Sequence, residues 1–168
     1  MSACLETFFE LEGTLEELHA MAKVIKDHCD YHQQASFDYA RISYCNNPDD
    51  QGAAVLGSLS DDALLEFLTK CKTKVLVNAD GPYGSYGGVS DAGVFEAVAR
   101  SAPNATFKAG TTGFTTGQKD RFFGELNQGI LHMSYSIQTN DYRPEDHDGE
   151  DDWYTEVHTY DPIGKKYL

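Results

Sequence analysis

Leu5-Glu-Thr-Phe-Phe-Glu-Leu-Glu-Gly-Thr-Leu-Glu-Glu17 reads first as a strand and then as the opening of a helix. Leu5, Thr7, Phe9 and Leu11 alternate with Glu6, Phe8, Glu10 and Glu12. That is the period of a strand with one solvated face, and Phe8 is its exception. Thr14 and Glu17 have the spacing of a capping box, in which each side chain satisfies the other's backbone N–H. Leu15, Leu18, Ala22, Ile25 and Cys29 follow as an apolar stripe, so a helix is expected to about Tyr31.

The same signals recur downstream. Phe37–Cys45 reads as a strand, Asn46–Asp50 as a turn cluster and Ala53–Ser58 as a short apolar strand. Ser60 caps a second helix, with Asp61 and Asp62 where the helix dipole favours anions and Leu64, Phe67, Leu68 and Cys71 as its stripe. Lys74–Ala79 closes the unit as a strand. The order β-α-β-β-α-β is that of a ferredoxin-like unit, with two helices on one face of an antiparallel sheet.

A Gly-Tyr stretch, Asp80–Gly88, separates this unit from the remainder. Ser90 caps a third helix along Val94, Phe95, Val98 and Ala102, ended by Pro103. Strands are expected at Ala105–Phe114, Asp120–Leu126, Ile130–Thr139 and Trp153–Tyr160. A tight turn at Gln128-Gly129 would pair Leu126 with Leu131 and Phe122 with Tyr135, keeping the apolar faces together. The class is therefore α+β: a ferredoxin-like unit over 1–80, a Gly-Tyr loop over 81–89, and a helix plus a four-stranded antiparallel meander over 90–168. The length also allows the two halves to share one compact domain.

Charge is the main guide to function. The 168 residues contain 13 Lys or Arg against 27 Asp or Glu, a net charge of −14. Such a balance argues against nucleic acid as a direct ligand, since a phosphate backbone needs a basic footprint. The density peaks at Asp141–Asp152, where seven of twelve residues are carboxylates: Asp141, Glu145, Asp146, Asp148, Glu150, Asp151 and Asp152. Tyr142 and Tyr154 lie beside them, and Tyr83 and Tyr86 sit in the glycine-rich loop. Carboxylates interleaved with tyrosines can imitate a phosphate array and occupy the basic groove of a nucleic-acid-binding protein or nuclease complex. Acidic inhibitors of CRISPR and restriction nucleases share this size and charge. The competing reading gives the acid run solubility alone.

The remaining chemistry is thinner. Aligning Gly149 on an EF-hand loop puts Pro144 at the first ligand position and Thr155 at the last, so the calcium motif fails. His28 and His32 are spaced for one metal, but the glutamate of H-E-x-x-H is replaced by Cys29. If the strands flanking the acid run pair symmetrically about it, His132 faces His158 and Ser134 faces Glu156. A small metal-dependent hydrolase built on His132, His158 and Glu156 is the alternative function. The Gly-Tyr stretch matches no phosphate-loop motif and has no Lys. No cofactor or metal is expected.

Cys4, Cys29, Cys45 and Cys71 form no C-x-x-C pair and read as free thiols. Met1–Gly13 lacks the basic and apolar regions of a signal peptide, and no run reaches the roughly 20 apolar residues of a membrane span. The expectation is a cytoplasmic, non-enzymatic acidic binding protein.

Overall fold

The computed structural model describes residues 4–28, 39–44, 53–70, 74–82, 90–115, 118–139 and 163–166. The elements run β1 (Cys4–Glu12), α1 (Leu15–Asp27), β2 (Tyr39–Tyr44), β3 (Ala54–Val55), α2 (Asp61–Thr69) and β4 (Lys74–Pro82). They continue with α3 (Ser90–Ser101), β5 (Thr106–Thr115), β6 (Gln118–Asn127), β7 (Ile130–Thr139) and β8 (Ile163–Lys166). The class is α+β, and no helix among the described residues is long and apolar enough to cross a membrane.

The local signals act as their chemistry requires. Thr14 N donates to Glu17 Oε2 at 2.8 Å, and Glu17 N donates to Thr14 Oγ1 at 3.3 Å, closing the capping box. Ser60 Oγ accepts from Ala63 N at 3.1 Å. Asp61, one residue on, also meets Lys23 and Lys26 of α1, each at 3.5 Å, so the two helices are tied at that end. The Lys23 charge, ahead of that of Lys26, holds the Asp61 carboxyl below its ordinary value. α1 ends sooner than its stripe implies. His28 is the C-cap, its Nδ1 donating to Val24 O at 2.8 Å. Leu15, at the rim of the first turn, is exposed, and Met21 takes its place among the buried residues beside Leu18, Ala22 and Ile25.

The eight strands of the described residues join one sheet in the order β3-β2-β4-β1-β5-β6-β7-β8, with antiparallel neighbours throughout. A ferredoxin-like unit has β1 and β3 as its inner strands; here β4 and β2 hold those places. The expected strand over Ala53–Ser58 explains the difference. Only Ala54 and Val55 are extended, and Leu56–Ser58 turns into a 3₁₀ helix. Two residues cannot fill an inner position, so β3 lies at the edge. β4 is longer than expected and carries Asp80, Gly81 and Pro82 of the Gly-Tyr stretch as strand.

The core lies between the sheet and the helices, with α1 touching both α2 and α3. Phe9 and Leu11, Val75 and Val77, Ala40 and Ile42, Phe107 and Ala109, and Leu126 and Leu131 supply the sheet side. Leu18, Met21, Ile25, Leu64, Leu68, Val94, Phe95 and Val98 supply the helix side. Phe95 stands edge-on to Phe9, with centroids 5.5 Å apart, and its ring lies against Gly124. A Cβ at Gly124 would come within 2.6 Å of that ring, so the missing side chain lets α3 approach the sheet closely here.

The Gln128-Gly129 turn forms as the sequence indicates. Both residues have positive φ (51° and 74°), as a two-residue I′ turn requires. Leu126 pairs with Leu131 and Phe122 with Tyr135. The expected strand Trp153–Tyr160 lies outside the described residues, and β7 pairs with Ile163–Lys166.

Candidate functional site

Two adjacent residues in a strand point to opposite faces, so a doublet of phenylalanines cannot be wholly buried by one helix layer. Phe9 enters the core and Phe8 does not. The sheet face away from the helices carries Phe8, 42% exposed, and Phe123, 43% exposed. Between them on β5 is Gly110, paired with Phe8 on one side and Phe123 on the other. A Cβ there would clash with the Phe8 ring and press on Phe123. The two phenyl groups thus close over the glycine from neighbouring strands.

One step along the strands is a charged row. Glu10 is opposite Lys108, Lys108 opposite Glu125, and Glu125 opposite His132. Side chains at such positions are within reach of one another. The aromatic and charged rows line a shallow concavity of about 510 Å³. Glu10 also bonds Lys74 Nζ at 2.8 Å, and this hydrogen bond holds its carboxyl below the ordinary glutamate value. The Lys74 and Lys108 charges add to that lowering, against desolvation. None of the ion pairs among the described residues engages Lys108, Glu125 or His132.

The acidic candidates Asp141, Glu145, Asp146, Asp148, Glu150, Asp151 and Asp152 lie outside the described residues, as do Tyr142, Tyr154, Tyr83 and Tyr86. The strands next to them are described. Pro82, the end of β4, is opposite Cys4; Cys4 is opposite Phe114, Phe114 opposite Lys119, and Lys119 opposite Gln138. Pro82, the last described residue before the Gly-Tyr loop, and Gln138, next to the last before the acid run, therefore stand at one end of the sheet. Four strand spacings separate them, about 19 Å.

The histidine arrangement is corrected. The residue opposite His132 is Gly164, not His158, because β7 pairs with Ile163–Lys166 rather than symmetrically about the acid run. His158 and Glu156 themselves, and the His32 partner proposed for His28, lie outside the described residues. Among the described residues no group of three or more His, Cys, Asp or Glu side chains is placed to hold a metal ion. Of the cysteines, Cys4 begins β1, and Cys29, Cys45 and Cys71 lie outside the described residues.

Reading the sequence by its charges passed over Phe123, Lys108 and Glu125. The signal was present in the repeated doublets Phe8-Phe9 and Phe122-Phe123. Each must send one ring to the helix-free face.

No family model matches the chain, and no curated protein or solved structure matches it.

Proposed function

We propose that this protein is a non-enzymatic acidic binder that occupies the basic nucleic-acid-binding surface of a partner protein or nuclease complex. The observation that carries the reading is the concentration of charge: net −14, with seven carboxylates in the twelve residues Asp141–Asp152. The strand ends add support. Pro82 and Gln138 stand at the same end of the sheet, about 19 Å apart, so the chain enters the Tyr83–Tyr86 stretch and the acid run from one end of the sheet. A partner's cationic groove would meet carboxylates and tyrosines together, the combination that gives steering and anchoring.

The test is capture of partners from host lysate at low and high salt, using the full chain and a variant with Glu145, Asp146, Asp148, Glu150, Asp151 and Asp152 changed to their amides. The expected result is a basic nucleic-acid-binding protein, released by salt, displaced by added duplex DNA or RNA, and lost with the variant. Equal capture by the variant at low salt, with its circular dichroism unchanged, would remove this reading.

A further inference from the structure

The helix-free face differs in character from the rest of the chain. Glu10, Glu12 and Glu125 stand there with Arg41, Lys74 and Lys108, and the register adds the positions of Glu6 and Asp80 against those of Lys119, Arg121 and Lys166, so this face is close to neutral within a chain of net charge −14. It also carries four of the large hydrophobic residues that stand exposed: Phe8, Val55, Phe123 and Ile130. Neutral, aromatic and uncovered by any helix among the described residues, it has the composition of an interface centre rather than of a solvated wall.

The order of charges points to the occupant. Across β1, β5, β6 and β7 the row reads Glu10, Lys108, Glu125, His132. A half-turn about an axis along the strands, midway between β5 and β6, exchanges β5 with β6 and β1 with β7. It sets Lys108 against Glu125 of the second copy and Glu10 against His132 of the second copy, and the reverse. Every carboxylate of the row then meets a basic group. The same rotation lays each Phe123 ring over the Phe8–Gly110 pair of the other copy. We propose that two copies of this chain associate face to face through the helix-free side of the sheet about this axis, which is an isologous interface.

The dimensions agree. Under this axis β1, β5, β6 and β7 face their counterparts over about 19 Å across and about 30 Å along the strands, and β4 faces the shorter β8, together near 700 Å². A stable interface of standard size takes about 800 Å² from each partner. Repulsion between the two net charges is screened beyond about 8 Å at physiological ionic strength, whereas the facing pairs are in contact.

The test is the mass of the full chain in solution, by sedimentation equilibrium, and its response to charge reversal. The wild type is expected to weigh twice one chain. Lys108→Glu alone and Glu125→Lys alone each put like charges across the axis twice, and each should weaken association at least about tenfold. In an equal mixture of the two single variants, a K108E chain meets an E125K chain with opposite charges at both crossings. The double variant K108E/E125K restores the same complementarity with a copy of itself, so the mixture and the double variant should both recover the dimer. Phe123→Ala probes the same axis at a position 43% exposed in the single chain, and should weaken association by a similar factor even where a charge reversal unfolds the chain. A wild type that stays monomeric at every loading concentration overturns the proposal and assigns the face to another occupant. So does a dimer indifferent to Phe123→Ala, or folded reversal variants that fail to associate when mixed.

Discussion

The hydroxyls of Thr7 on β1 and Thr111 on β5 lie 2.9 Å apart, both side chains buried on the helix-facing side of the sheet. They are directly opposite in the register, so each is the other's hydrogen-bond partner at the seam where the two halves of the chain meet. Replacing either one by valine keeps the shape and leaves a buried hydroxyl unsatisfied, at a cost of about 1–3 kcal/mol. Thr7→Val with Thr111→Val removes both polar groups and should cost well under the sum of the singles. Urea denaturation of the four members of the cycle measures this coupling; additive losses would show that the hydroxyls act independently.

Gly124 is expected to tolerate no side chain. A methyl group there meets the ring of Phe95, which is fully buried and cannot swing into solvent. Gly124→Ala should therefore destabilise by about 1–3 kcal/mol through overpacking between α3 and β6. Gly110→Ala presses on Phe8, an exposed ring free to move aside, and should cost less. Thermal melting of both variants tests the ranking.

The β6–β7 turn leaves room for improvement. Gln128 holds a positive φ of 51° without being glycine or asparagine. Gln128→Asn supplies the residue an I′ turn favours before Gly129 and should stabilise by up to about 1 kcal/mol. Gly129→Ala should destabilise by a similar amount, and denaturant midpoints would show both.

Stability should fall on acidification in a way that depends partly on Glu10. Its folded pKa is depressed, first by the Lys74 hydrogen bond, so the stabilisation is fully present above the unfolded-state value and is lost as pH falls through the folded one. The pair is partly exposed, which limits it to about 1 kcal/mol or less. Glu10→Gln should thus lose that much at neutral pH and almost nothing in acid. Urea midpoints for both proteins across the carboxylate range check whether the difference closes as predicted.

Much of the local structure was legible in the residues. Thr14 and Glu17 marked the first helix start, Ser60 the second, and Gln128-Gly129 the hairpin, down to the pairing of Leu126 with Leu131. Each depends on backbone groups no more than a few residues away, so composition and spacing suffice. Where the chain continued its pattern beyond a physical stop, the expectation overran. α1 ends at its His28 cap, and Ala53–Ser58 breaks into a 3₁₀ turn after two extended residues.

By itself, then, the sequence determined the α+β class, the caps of the first two helices, the two faces of the first strand and the concentration of acid at Asp141–Asp152. Only the tertiary structure decided that β4 rather than β3 separates β1 from β2, that β1 joins β4 to β5, and that His132 stands opposite Gly164. It alone brought Phe8 and Phe123 together over Gly110 and arranged Glu10, Lys108, Glu125 and His132 in one row. Alternation along a strand states which residues share a face. It carries no information on which strand will lie alongside, because that choice belongs to contacts between residues as distant as Thr7 and Thr111, formed only when the helices close over the sheet.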